Sequence, residues 1–237
     1  MHGRPKVCPT GIRPKAVENP QFFCVSLASG HIPVGQTFGR PKTSKVKKRS
    51  PMQTLIFNGS PRKNGDTEAL VNAFASHLKG EVKTLSFRSD IQPCMDCRHC
   101  WEHNGCAIED EMQDAYHYIE TCDNIVLASP IWFSSLSGPL LNMASRMQSI
   151  WAAGYFRKQK RIAKEKKGVL ILVGAQPETK NIPTQTALGI MKYMNVHRPS
   201  VEVIHSLNTN TLPAGKDPAA LEKCREVAQS LNTGCAI

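Results

Sequence analysis

Thr54-Leu55-Ile56-Phe57-Asn58-Gly59-Ser60-Pro61-Arg62-Lys63-Asn64-Gly65-Asp66-Thr67 decides how this chain is read. Four residues of apolar or β-branched character enter a short Gly/Ser/Pro loop. A stretch with Leu70, Val71, Phe74 and Leu78 at helical spacing leaves it. Strand, tight loop and helix form an anion site, because the first N–H groups of a helix are unpaired and its dipole is positive there. Ser60 and Thr67 offer hydroxyls, Arg62 and Lys63 offer charge, and Gly59 and Gly65 let backbone come close. The loop therefore reads as a phosphate holder, although an ordinary strand-to-helix turn has the same composition. It carries neither the Walker G-x-x-x-x-G-K-[ST] nor the dinucleotide G-x-G-x-x-G pattern.

The same alternation continues outward. Strands are expected at 53–57, 81–87, 124–129, 168–173 and 201–205. Helices are expected at 66–78, 110–121, 139–151, 183–194 and 218–231. Ile125-Val126-Leu127-Ala128 and Gly168 to Val173 are continuous apolar runs, as strands covered on both faces require. The fold class is thus α/β, a three-layer sandwich around a five-stranded parallel sheet with right-handed crossovers. In the doubly wound order 2-1-3-4-5, the Gly/Ser/Pro-rich loops after strands one, three and four meet over one crevice. That is where such sheets bind a mononucleotide such as FMN.

Charge is unevenly placed. Residues 1–50 hold ten Lys/Arg and one acid, Glu18, so +9 of the +11 formal charge lies there. This segment has six prolines, five glycines and few aliphatics, and it reads as a disordered basic extension covering 1–51. The run Lys45-Val46-Lys47-Lys48-Arg49 has nucleic-acid or acidic-lipid character, but a solvated tail explains it, and no nucleic-acid partner is expected. No apolar h-region follows the basic residues, and no stretch approaches the ~18–20 apolar residues of a membrane span. The expected setting is cytoplasmic. Residues 52–237 are expected to form the one domain, with Met52 a candidate start of translation that intact-mass analysis would test.

Three elements together resemble a known family. They are Asn58 to Thr67, Pro93 leading into Cys94-x-x-Cys97-x-x-Cys100, and Ser129-Pro130-Ile131-Trp132-Phe133 followed by Ser137-Gly138-Pro139-Leu140. The chain resembles the flavodoxin-like NAD(P)H-dependent FMN reductases, and within them the iron–sulfur flavoproteins, over about Met52 to Leu231. The resemblance implies a flavodoxin-like fold holding FMN non-covalently. Phosphate contacts would fall on Ser60, Arg62, Gly65, Asp66 and Thr67. Pro130, Ile131, Trp132, Phe133 and Ser135 would line the isoalloxazine ring, with Gly174 and its neighbours Ala175-Gln176-Pro177 approaching from the other side. Two positions depart from the family pattern. Asp66 stands where Asn is usual, which sets a carboxylate beside a phosphate unless it turns away to cap the helix. Trp132 stands where many relatives have Tyr.

Cys94, Cys97, Cys100 and Cys106 are spaced C-x2-C-x2-C-x5-C, four of the nine cysteines of the chain. Compact runs of this kind hold iron–sulfur clusters, because each thiolate must reach a different corner of a small cube. The same four ligands also suit zinc, or serve as redox or structural thiols. His99 and His103 are read as solvated rather than as ligands. No Ser/His/Asp or paired-carboxylate arrangement is evident, so no acid–base catalytic residue is assigned and the chemistry falls to the cofactor. The resemblance carries the remaining expectations. The protein is an FMN oxidoreductase or electron-transfer flavoprotein, with a [4Fe–4S] cluster in the Cys94–Cys106 loop and NAD(P)H as co-substrate. Its donor or acceptor is a small molecule or a ferredoxin-type protein, and it assembles as a homodimer or homotetramer. The alternatives are an NAD(P)H-dependent FMN/quinone reductase without a cluster, and a flavodoxin-like module that has lost FMN.

Overall fold

The computed structural model describes residues 51–86 and 91–233. The expected basic extension up to Ser50 and Phe87, the last residue of the expected second strand, lie outside them. Five parallel strands form the sheet: β1 (Gln53–Asn58), β2 (Glu81–Ser86), β3 (Asn124–Trp132), β5 (Lys166–Val173) and β6 (Val196–Ser206). Their order is β2-β1-β3-β5-β6, the order expected for a flavodoxin-like sheet, with the two-residue β4 (Ser135–Leu136) set aside against β3. Register runs Ile56↔Val126 between β1 and β3 and Val126↔Val169 between β3 and β5.

Successive residues of a strand face opposite sides, so each central strand feeds two cores. Leu55, Phe57, Ile125, Leu127, Leu170 and Leu172 point to one side. There they meet α3 (Met112–Thr121), α4 (Gly138–Ser145) and α6 (Asn181–Tyr193) through Ile119, Met143 and Met191. Ile56, Val126, Ala128, Val169 and Ile171 point to the other side, against Leu70 and Phe74 of α1 (Asp66–Ser76) and Val227 and Leu231 of α7 (Pro218–Thr233). The continuous apolar runs are thus explained by burial on both faces.

Three local expectations are corrected. The helix expected across 139–151 is broken at Arg146 and Met147 into α4 and α5 (Gln148–Tyr155). Arg146 and Met147 donate to carbonyls three residues back, at Met143 and Ala144, and the Arg146 carbonyl instead accepts from the Tyr116 hydroxyl at 2.8 Å. The cysteine run, where neither a strand nor a helix is expected, contains the one-turn α2 (His99–Glu102). Finally, β3 runs past the sheet to Trp132 and turns back through β4. Phe133 and Ser134 form that turn at φ 48 and 56 degrees. No helix among the described residues is long and apolar enough to cross a membrane.

Candidate functional site

A cleft of about 300 Å³ opens at the carboxyl ends of β1, β3 and β5. Ser60, Arg62, Asp66, Thr67, Pro130, Ile131, Trp132 and Gly174 line it, so the structure gathers eight of the eleven expected cofactor residues in one place. Gly65, Phe133 and Ser135 are not in the lining; Phe133 is fully exposed at the hairpin tip. Thr209 completes the wall and was missed from sequence. It donates through its backbone N–H and its hydroxyl to the Gly174 carbonyl, both at 3.1 Å, a contact across 35 residues that no local pattern shows.

The first two loops are joined by short hydrogen bonds. Gly59 N–H donates to the Ala128 carbonyl at 2.8 Å, and the Ser137 hydroxyl donates to the Gly59 carbonyl at 2.7 Å. A Cβ on Gly59 would lie 2.6 Å from Leu140 Cβ and 2.7 Å from Ser137 Oγ. Glycine is needed there for close approach of the loop to α4, not for a special φ. Ser60 and Thr67 are buried, and no side chain caps the start of α1. Gly65 at the N-cap offers no side-chain oxygen to the first N–H groups, and a helix start of this kind suits a phosphate.

Asp66 neither caps the helix nor stands free. One carboxylate oxygen accepts from Ala214 N–H at 2.9 Å, and the other pairs with Arg62 at 2.9 Å. Drawn toward Ala214 and neutralised by Arg62, it intrudes less on a phosphate dianion than the sequence alone suggests. The donor set, glycine clearance and cleft size fit FMN. A larger cavity of about 560 Å³ lies at the opposite edge, bordered by Asn124, Lys166 and His197. Open α/β sheets bind at the carboxyl ends, so the smaller cleft is the candidate.

The cysteine loop forms a second site. Cys94, Cys97, Cys100 and Cys106 line one void, together with Trp101, Arg146 and Ser149. The void is small, about 20 Å³, room for a water molecule. All four thiols are free, Cys100 buried and Cys97 exposed. Burial pushes the Cys100 thiol up, a backbone hydrogen bond opposes this, and the neighbouring Cys106, Cys94 and Cys97 add to the rise. Among the described residues no three Cys, His, Asp or Glu stand close enough to grip one metal ion. Zinc draws four sulfurs to about 2.3 Å of a single point, whereas a cubane spreads them over four irons. The donor set is that of an iron–sulfur cluster, and the four thiols line one void without converging on a single metal ion.

Arg146 organises this loop, and sequence reading missed it. Its side chain is wholly buried. Nη1 donates to Asp110 at 2.6 Å and to the Gln92 carbonyl at 3.0 Å; Nη2 donates to Asp110 and to the Ile108 carbonyl, both at 3.1 Å. One guanidinium thus clamps the chain just before Cys94 and just after Cys106. Burial would lower its proton affinity, but the Asp110 hydrogen bond outweighs this, and the net direction is up. Gln113 adds bonds to the Cys106 and Ile108 carbonyls, and Ser145 accepts from Cys94 N–H at 2.9 Å. Asp96 and Arg98 hold left-handed φ of 51 and 61 degrees, curling the run tightly. Strain of this kind is sustained by surrounding contacts and collects at ligand clamps.

Sheet order and cleft together define a flavodoxin-like mononucleotide-binding protein. Residues 52–205 match the NADPH-dependent FMN reductase family, and the chain belongs to that family, whose cofactor is FMN. An iron–sulfur flavoprotein of Methanosarcina thermophila is 24% identical over 187 residues, 76% of this chain and 93% of that protein. An iron–sulfur flavoprotein of Methanocaldococcus jannaschii is 28% identical over 103 residues, 42% of this chain, and the match spans only 53% of that relative's length. Among solved structures, an NAD(P)H:quinone oxidoreductase from Methanothermobacter marburgensis aligns with TM-score 0.53 at 16% identity, covering 77% of this chain and 96% of that one. An FMN-dependent NADH-azoreductase from Bacillus anthracis, solved with FMN, aligns with TM-score 0.52 at 14% identity, covering 76% and 99%. At such identities the structural likeness speaks for the fold alone.

Proposed function

We infer that this protein is an NAD(P)H-linked FMN oxidoreductase that also carries a [4Fe–4S] cluster on Cys94, Cys97, Cys100 and Cys106. The observation that carries the reading is the pair of sites: a phosphate-ready cleft of three converging loops, and four thiols around one void pinned by Arg146. Ser60, Arg62, Gly65, Asp66 and Thr67 are assigned to the phosphate end. Pro130, Ile131, Trp132 and Gly174 are assigned to the ring, with Phe133 and Ser135 at the hairpin beside it. Bound FMN supplies hydride and electron acceptance, and a cluster supplies single-electron transfer. These lining residues would hold and orient the ring at the carboxyl ends of β1, β3 and β5. The donor or acceptor is a small molecule or a ferredoxin-type protein. The setting is the cytoplasm, and the assembly is a homodimer or homotetramer.

One observation favours a second reading. No three potential ligands among the described residues converge on a point, as in a cluster-free FMN or quinone reductase whose cysteines are free thiols. Protein purified without oxygen separates the two, with iron, acid-labile sulfide and flavin quantified alongside the absorption spectrum. Flavin bands, broad visible absorbance and about four irons per chain support the first reading. Flavin without iron supports the second, and absence of both chromophores overturns each.

A further inference from the structure

Three buried side-chain polar atoms among the described residues have no hydrogen-bond partner: Trp101 Nε1, Arg146 Nε and Arg161 Nη1. Two of the three belong to residues that line the void of the four cysteines. Both are donors. Neither is loosely placed. The Trp101 ring is stacked on Phe156 with centroids 4.2 Å apart, and the Arg98 guanidinium lies 4.8 Å from the Trp101 ring centroid. Arg146 has both terminal nitrogens committed to Asp110, Gln92 and Ile108, so only Nε–H is left over.

A buried N–H without an acceptor costs about 1–3 kcal/mol, so native proteins rarely keep one. Two on residues that line one void point to an acceptor there. The four thiols cannot serve well, because protonated sulfur is a weak acceptor. Thiolates bound to iron, and the inorganic sulfides between the irons, carry negative charge and accept. Hydrogen bonds to these sulfurs and nearby positive charge stabilise the more negative, reduced state, which raises the reduction potential.

We propose that Trp101 Nε1–H and Arg146 Nε–H are preformed donors to sulfur of the cluster, and that they make it easier to reduce. This rests on the cluster reading above. It adds an electrostatic role for two residues outside the cysteine motif: positioning donors that tune the centre without ligating it.

The test is potentiometric titration of anaerobically purified, FMN-containing full-length protein, following cluster and flavin signals separately, in wild type and Trp101→Phe. Iron and sulfide are counted in the same samples. The expected result is equal iron, an unchanged flavin midpoint, and a cluster midpoint more negative by at least a tenfold change in the reduced-to-oxidised ratio, about 59 mV for one electron. If Trp101→Phe retains less iron, site-specific 3-benzothienylalanine at position 101 replaces it, since it keeps the fused rings and removes only the N–H. Full iron with an unmoved cluster midpoint in the variant overturns the donor assignment and leaves the cluster reading standing. Wild type without iron overturns the cluster reading and this inference with it.

Discussion

Asp110→Ala would leave the Arg146 guanidinium buried and uncompensated. The carboxylate accepts from Nη1 at 2.6 Å and Nη2 at 3.1 Å, and also from the backbone N–H of Met112 at 3.1 Å and Gln92 at 3.3 Å. Arg146 is 0% exposed and Asp110 only 11% exposed, so water cannot replace what is lost. Breaking a buried pair by removing one partner costs about 3–5 kcal/mol. The lower end applies here, because Asp110 touches solvent and two carbonyls still hold the guanidinium. With an m value of about 2 kcal/mol/M, the urea midpoint should fall by about 1.5 M. Asp110→Asn keeps the shape and one acceptor oxygen, and with it one of the two backbone bonds, so it should lose less. Lys223→Ala, which breaks the more exposed pair with Glu202, should stay within about 1 kcal/mol and serves as the control. The assay is equilibrium urea unfolding followed by circular dichroism with thiols kept reduced. Cys94 and Cys106 should also react faster with a thiol reagent in Asp110→Ala, since the clamp closes both ends of their loop. A midpoint indistinguishable from that of Lys223→Ala would refute the reasoning, because a desolvated guanidinium cannot lose its counter-charge without consequence.

Two further outcomes are expected. The Phe133-Ser134 turn has both central residues at positive φ, the geometry that favours Asn-Gly. Phe133→Asn with Ser134→Gly should stabilise by about 1–2 kcal/mol, seen as a rise in Tm of a few degrees, and a lower Tm would refute it. Alkaline pH should weaken the fold. Burial pushes the Cys122 and Cys224 thiols up from 9.0 to about 11 in the folded state. Between those values the unfolded chain has released protons that the folded chain still holds. The stability these thiols contribute is complete below pH 9 and is lost as pH rises toward 11, by about 2–3 kcal/mol for each. Cys224→Ala should flatten that fall; an unchanged slope would show that Cys224 is not the group responsible.

Much of this protein was legible in its residues. Strand and helix periodicity, two-sided apolar runs and the Asn58–Thr67 loop are local signals, and local signals determine element type and, through short right-handed crossovers, strand order. The cysteine spacing was equally plain. Other features were decided only in three dimensions. Arg146 looks like one more basic residue on an amphipathic helix until Asp110, 36 residues away, and Gln92, 54 away, close around it. The same burial draws its carbonyl to Tyr116 and splits the helix expected across 139–151. Asp66 looked like a threat to a phosphate until Ala214, 148 residues on, took one of its oxygens. The reason is the same each time. Backbone periodicity is written within a few residues, but what a buried charge or an unpaired N–H means depends on partners that only the folded chain brings near.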